Sequence, residues 1–233
     1  MATADTLDGR KALLQHAIPF VAWLLALELL PPGAGSYALR SALGLALLVV
    51  CRPWRYYEKL RPTHLPLAIA AGTGVFVVWI FPELPLVRQW PAAAEFYTRW
   101  GILPPWSLST PPVSSPYAPE VAGWPLALIR LLGSALIIAP IEEYFWRGFL
   151  YRWLIERDFL RVDLFRWSAA AFWITAVLFG LEHDRWLVGI LAGIAYGLLC
   201  LRTRSLSPAI WAHVTTNLLL GLYVLASGDY RFW

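Results

Sequence analysis

The sequence predicts an all-α fold, a polytopic bundle of about seven transmembrane helices. Of its 233 residues, 59% are hydrophobic and only 15% are charged, and the mean hydropathy is +0.57. Soluble domains are about half apolar and a quarter charged, so this composition favours an integral membrane protein. The 14 tryptophans agree with that prediction, because tryptophan concentrates at the two membrane–water interfaces.

Seven stretches approach the length that a membrane-spanning helix needs. About 20 apolar residues cross the ~30 Å hydrocarbon layer. Helices are expected because lipid offers backbone groups no hydrogen-bond partner, and the alternating pattern of a membrane barrel is missing. We predict a single integral membrane domain over residues 1–233, with spans at 12–31, 36–51, 64–81, 123–145, 166–183, 186–202 and 207–226.

Two connecting segments differ in character. Residues 82–122 contain PELP, LPPW, STPP and SSPYAP. Because proline removes a backbone donor and blocks helix propagation, this segment is predicted to be an irregular, proline-rich external loop. Residues 148–165 instead mix charged with large apolar residues at about helical spacing, which predicts a segment lying flat on the membrane surface.

The distribution of lysine and arginine predicts the orientation, because basic loops remain cytoplasmic. Most basic residues fall in the amino terminus, the loop 52–61, the connector 148–165 and the pair Arg202 and Arg204. All four segments, including the amino terminus, are predicted to lie on the cytoplasmic side. The basic residues form no stripe interleaved with aromatic side chains, so nucleic-acid binding is not expected.

Charged residues interrupt the fourth span in the stretch PIEEYFWRG, residues 140–148. Ionisable groups inside a span cost roughly 2.5–3.5 kcal/mol each on insertion scales, so they usually face the bundle interior and serve a function. Glu143 and Arg147 are four residues apart and can pair on one helix face. Glu142 points about 100° away and remains available as a general base. The alternative is a salt-bridge cluster that anchors the end of the helix.

Two later stretches carry histidine. In FGLEHDRW, Phe179 and His183 share a helix face, and the phenyl ring is expected to pack beneath the imidazole. In IWAHVTTNLLLG, His213 and Asn217 also share a face, and two adjacent donors can stabilise an oxyanion. The alternatives are an interfacial histidine and hydrogen bonds that hold helices together. Taken jointly, a base, a water-orienting imidazole and two oxyanion donors predict hydrolysis of an acyl bond inside the membrane.

The span limits raise two questions of helix packing. His213 would lie near the cytoplasmic side and His183 near the far side, so their convergence requires that the fifth helix begin later, tilt or be partly re-entrant. In the sixth span, glycines at 189, 193 and 197 form a stripe, which predicts close approach of another helix.

In this order, E-E-x-x-x-R, F-x-x-x-H and H-x-x-x-N resemble the motifs of the CAAX protease and bacteriocin-processing family of intramembrane endopeptidases. The resemblance covers about residues 123–220, the predicted catalytic core. It implies four catalytic residues, of which the first two activate water and the last two stabilise the oxyanion: Glu142, His183, His213 and Asn217. Glu143, Arg147 and Phe179 are implied as supporting residues.

The family resemblance also implies a membrane-associated peptide or protein substrate, an enzyme without a bound metal, and a place in the bacterial inner membrane. From the residues alone, zinc stays open, since Glu142, His183 and His213 could supply a carboxylate and two imidazoles. The chain lacks the H-E-x-x-H pair that would make a zinc site a strong prediction. We therefore predict metal-free catalysis.

Two other classes of function compete with the endopeptidase. A transporter or channel could use Glu28 and Arg130 to line a path, although the chain lacks the half-symmetry of many carriers. A non-catalytic immunity or scaffold protein could keep the same fold. The presence of every motif residue argues against that last class.

Overall fold

The computed structural model describes residues 4–59, 61–102 and 115–233, with side chains from residue 9 onward. Over these residues the chain is helical and has no strand, which confirms the all-α transmembrane bundle. Six helices are long and apolar enough to cross a membrane, and a shorter apolar helix makes the seventh. The main helices are α1 (Ala4–Leu29), α2 (Ala34–Cys51), α3 (Leu65–Ile80), α4 (Pro91–Trp100), α5 (Trp124–Ile155), α6 (Ala169–Leu181), α7 (Trp186–Thr203) and α8 (Ser207–Ser227).

Glycines bring α6 and α7 together. A Cβ atom at Gly189 would lie 3.0 Å from the Cα of Gly180, and one at Gly193 would lie 3.0 Å from the carbonyl oxygen of Ala176. Gly197 faces the same helix. The predicted role of the glycine stripe in close helix packing is therefore confirmed.

Helix α5 is the longest element and contains two π-helical segments, Ser134–Ile138 and Tyr144–Leu150. The short α-helical segment Ala139–Glu143 between them carries the two glutamates of the PIEEYFWRG stretch. Such π turns are uncommon and concentrate at functional sites, because they change the direction in which side chains leave the helix.

The fourth span and the connector after it differ from the prediction. The helix continues to Ile155, so residues 148–155 extend the span and do not lie flat on the surface. Arg152 explains the difference, because its buried guanidinium donates to the carbonyl oxygens of Gly148, Leu160 and Val162. Three backbone acceptors thus satisfy a charged residue that the sequence placed on the surface.

The proline-rich segment is partly helical. Residues Pro85–Arg88 form one helical turn, and α4 follows. Proline is tolerated in the first helical turn, where its missing N–H would have no partner, so the prediction of irregular structure is wrong for these two segments. Residues 103–114 of the predicted loop lie outside the described residues, and its external position stays a prediction.

Several basic segments meet at one end of the bundle. Ala12 in α1 and Phe159 in the connector belong to one apolar cluster. Tyr56, in the loop 52–61, packs against this cluster. The hydroxyl of Ser207 donates to the backbone oxygen of Glu58 at 2.8 Å, which joins the start of α8 to the same loop. These contacts bring together the four segments that hold most of the lysine and arginine.

The other end is tied together by ion pairs around Glu83. Its carboxylate is 2.5 Å from Nε of Arg185 and 3.4 Å from Nη1 of Arg231. The ring of Phe232 lies 4.2 Å from the Arg185 guanidinium. The carboxyl-terminal segment is thereby held against the loop between α6 and α7.

Candidate active site

The two adjacent glutamates of α5 have different environments. Glu143 is fully buried, and its Oε1 lies 2.8 Å from Nη1 of Arg147, as the four-residue spacing predicts. Arg147 also donates to the carbonyl oxygen of Gly193 at 3.0 Å and lies 4.3 Å from the ring of Phe179. Glu142 is 5% exposed, and its Oε2 has no hydrogen-bond partner among the described residues.

Glu143 has a second partner that the sequence did not reveal. Its Oε1 lies 2.9 Å from Nδ1 of His213 on α8. Because a carboxylate paired with an arginine accepts hydrogen bonds, Nδ1 carries the proton and Nε2 of the neutral ring keeps a lone pair. That Nε2 lies 3.9 Å from Oε2 of Glu142. The ring of Tyr196 stacks on the imidazole with centroids 4.8 Å apart. A lone tyrosine in the glycine-striped α7 was the only sequence signal for this contact.

His183 lies in the short loop that follows α6. Its Nδ1 is 2.8 Å from the carbonyl oxygen of Phe179, which can only accept, so Nε2 is left free. The phenyl ring of Phe179 lies 4.9 Å from the imidazole, in the packing position that the four-residue spacing predicts. Desolvation by burial lowers the pKa of His183, outside the spanning helices, to about 4, so the ring is neutral at neutral pH.

The loop position of His183 explains how this residue can reach His213, which the predicted spans placed near the opposite side of the membrane. Helix α6 begins at Ala169, later than predicted, and has 13 residues, ending at Leu181. A helix of that length is about 20 Å long and does not cross the hydrocarbon layer. His183 therefore meets His213 inside the bundle, and both imidazoles contact the ring of Phe179.

Asn217 lies one turn after His213 on α8 and is half-buried. Its Nδ2 donates to the carbonyl oxygen of Ser134 at 3.0 Å, inside the first π-helical segment of α5. This bond joins α8 to α5, which agrees with the alternative prediction that Asn217 holds helices together by hydrogen bonding. The amide nitrogen carries a second N–H, which remains available to another acceptor.

One cavity joins these groups. It has a volume of about 260 Å³ and is bounded by all the main helices except α4, by the loop after α6 and by the carboxyl-terminal segment. Aromatic side chains supply much of its wall. The four residues predicted to be catalytic all line it: Glu142, His183, His213 and Asn217. Phe179 lines it as well, whereas Glu143 and Arg147 lie behind its wall.

The segment that holds these site residues was compared with known protein families. Residues 124–219 match the family model described as type II CAAX prenyl endopeptidase Rce1-like. This part of the chain is similar to CAAX proteases over 96 of the 233 residues. The match confirms the family resemblance and contains all seven predicted site residues. Comparisons with curated proteins and with solved structures found no match.

The polar side chains around the cavity do not form a metal site in the described part of the chain. Among the described residues, no three side chains of His, Cys, Asp or Glu are grouped so that they could hold a metal ion. Nδ1 of His213 is engaged by Glu143, and its Nε2 is 3.9 Å from Glu142. Glu142, His183 and His213 therefore do not form a zinc site in this arrangement. Metal-free catalysis stays a prediction.

The acidic neighbours of His183 have separate environments. Glu182 accepts a hydrogen bond from Nε1 of Trp146 at 3.0 Å. Asp184 is exposed and borders the cavity. Neither carboxylate is grouped with the histidines as a metal ligand within the described part of the chain.

The two residues of the alternative transport path are not together. Arg130 lines the cavity, whereas Glu28 is exposed on α1 and does not. A path that uses both residues has no support in this arrangement.

Proposed function

We propose that this protein is an intramembrane endopeptidase that hydrolyses a peptide bond of a membrane-associated substrate. The observation that carries the proposal is the convergence of four polar side chains, from α5, the loop after α6 and α8, on one cavity among apolar helices. The match to an endopeptidase family model supports the same reaction. A transporter could use such groups as a proton relay, but the two residues weighed for a transport path, Glu28 and Arg130, are not together.

In the proposed reaction, Glu142 and His183 activate a water molecule. Oε2 of Glu142 lacks a partner, and Nε2 of His183 keeps its lone pair, so both can accept a proton from water. The water oxygen attacks the carbonyl carbon of the substrate, and the proton moves to Glu142. When the carbon–nitrogen bond breaks, the same proton passes to the leaving amine, which balances the reaction.

His213 and Asn217 are proposed to stabilise the oxyanion. The second N–H of the Asn217 amide can donate directly. Because Nδ1 already carries a proton, His213 can donate from Nε2 only as an imidazolium, after the ring takes up a second proton from solvent before the reaction. That proton would stay on the ring throughout, so it does not enter the proton balance of the hydrolysis. The Glu143 carboxylate on Nδ1 would stabilise that charged form, in the way that a buried carboxylate supports the histidine of a catalytic triad.

We further propose a cytoplasmic amino terminus in a bacterial inner membrane and catalysis without a metal ion. The meeting of four basic segments at one end of the bundle supports the orientation, because basic loops are retained in the cytoplasm. The poor fit of the donors to zinc supports metal-free hydrolysis.

Cleavage of a peptide library by purified protein tests the reaction. The full chain in detergent is incubated with membrane-associated peptides, and the products are identified by mass spectrometry. Glu142→Gln should lower kcat/KM by about 10²–10⁴-fold, since it removes the general base. Activity should persist in a strong chelator.

A matched control uses an exposed carboxylate. Glu156 lies at the surface just after α5, so Glu156→Gln should cleave like the unaltered protein. Undiminished cleavage by Glu142→Gln, with the same products, would refute the proposed role of this residue.

A further inference from the structure

Two arginines inside the helical bundle have no acidic partner in the part of the chain that the structure describes. Arg40 on α2 is 3% exposed, and Arg130 on α5 lines the cavity. Among the described residues, neither guanidinium forms an ion pair, and the Nε atom of each lacks a hydrogen-bond partner. By contrast, Arg185 and Arg231, which line the same cavity, both have acidic partners: Arg185 pairs with Glu83, and Arg231 pairs with Asp229 and Glu83.

Aromatic rings hold these two arginines close together. The Arg130 guanidinium lies 4.2 Å from the ring of Tyr37 and 4.5 Å from that of Tyr117. The Arg40 guanidinium lies 5.3 Å from the Tyr37 ring and 5.4 Å from the ring of Trp23. Its Nη2 donates to the Tyr117 hydroxyl over a long 3.5 Å. Ring faces attract cations, but they do not cancel the charge as a carboxylate would.

Two positive charges without a carboxylate partner are unfavourable here, because the buried Arg40 is desolvated, Arg130 is partly buried, and the two repel each other. Charges of this kind inside a helical bundle are retained where they bind an ion or a ligand. Tyr37 and Trp23 also line the cavity, so its wall places a positive field next to space that a ligand can enter.

We propose that the Arg40–Arg130 pair is an anion-binding subsite of this cavity that holds a carboxylate of the peptide substrate. Arg130 would make the direct contact, with its planar fork of donors, because it lines the cavity. Arg40 would strengthen the positive field from behind the wall. The proposal rests on the proposed endopeptidase function and adds a preference among its substrates.

The position of the subsite predicts how far the acidic group of the substrate lies from the bond that is cleaved. Arg130 and Glu142 are twelve positions apart on one helix, which is about 18 Å along its axis. An extended peptide covers that distance in about five residues, and the reach of the arginine side chain shortens it. The preferred substrate therefore has an acidic group about three to five residues from the bond that is cleaved.

A binding assay tests the subsite without requiring cleavage. The protein is the full chain with Glu142→Gln, reconstituted in nanodiscs of phosphatidylcholine. The probes are a short leucine–alanine peptide with blocked ends and one glutamate, and its twin with glutamine, each carrying an uncharged fluorophore. The glutamate peptide should bind about 10- to 100-fold more tightly, the range of one hydrogen bond between charged groups.

Adding Arg130→Gln to this protein should abolish the preference for glutamate, and adding Arg40→Gln should reduce it. Arg157→Gln is the matched control. Its guanidinium also covers an aromatic ring, that of Trp153 at 3.7 Å, but it is exposed and outside the cavity. Equal binding of the two peptides, or a preference that survives Arg130→Gln, would overturn the proposal. If the cleavage assay fails while this preference is found, the endopeptidase function falls and the subsite stands.

A second measurement separates a peptide carboxylate from a lipid phosphate. The unfolding temperature is compared in nanodiscs with and without phosphatidylglycerol. We expect any stabilisation by the anionic lipid to be the same with and without Arg130→Gln. A stabilisation that Arg130→Gln abolishes would assign the subsite to lipid and overturn the peptide proposal.

Discussion

At the scale of single residues, Glu143 and Arg147 form the support of the site. Glu143 joins Arg147 on its own helix to His213 on α8, and Arg147 reaches α7 through the Gly193 carbonyl. The pair itself could be predicted, because a spacing of four residues places both side chains on one face. The bond to His213 could not, since it joins positions 70 residues apart and depends on how two helices pack.

Replacing Arg147 should destabilise the whole bundle. Arg147→Gln leaves Glu143 buried without its cation, and loss of one partner from a buried pair costs about 3–5 kcal/mol. The unfolding temperature in detergent, followed by tryptophan fluorescence, measures the effect. The control is Arg61→Gln, which breaks an exposed pair with Glu58 worth about 0–1 kcal/mol. Similar unfolding temperatures for the two variants would contradict the structural role given to Arg147.

At the scale of helices, close approach sets where the catalytic groups lie. Helix α3 packs against α8 at Gly72, where a Cβ atom would clash with the carbonyl oxygen of Ala212. Ala212 directly precedes His213, so this contact sets the position of the imidazole. The glycine stripe of α7 predicted one such contact from periodicity alone. Nothing in the two glycines of α3, Gly72 and Gly74, indicated which of them would meet another helix, because that depends on the assembled fold.

Two alanine substitutions in α3 should have opposite effects. Gly72→Ala should push α8 away, lowering stability by about 1–3 kcal/mol and slowing peptide cleavage through displacement of His213. Gly74→Ala adds a methyl group with nothing within 4 Å, and alanine favours helix more than glycine does. That variant should keep full activity and unfold at the same temperature or higher. Equal stability and activity of the two variants would show that α3 and α8 do not pack as described.

At the scale of the whole molecule, the bundle has a basic end and an end tied by Glu83. Hydropathy predicted seven apolar helices, six of which are long enough to cross a membrane, and the charge pattern predicted the basic segments that meet at one end of the bundle. The inward position of Arg152 and the helical turns in residues 82–102 could not be predicted, because their stability comes from carbonyl partners and from first-turn prolines. The cavity runs from Glu142 towards Asp184 and the carboxyl-terminal segment, away from the basic end.

Thiol labelling of intact cells tests the orientation. The native cysteines, Cys51 and Cys200, are buried and should give little background. Asp184→Cys should react with a membrane-impermeant maleimide from outside, because Asp184 is exposed at the end away from the basic loops. Arg157→Cys should react only after lysis. The reverse pattern would place the amino terminus outside.

The central claim is that side chains from separate parts of the fold act on one water molecule. The most direct measurement is kcat/KM for one cleaved peptide with Glu142→Gln, His183→Ala and the double variant. If both groups serve the same step, the double variant should be no slower than the slower single variant, since residues that act as a unit are not additive. Losses that multiply, or a His183→Ala variant as fast as the unaltered protein, would contradict the account.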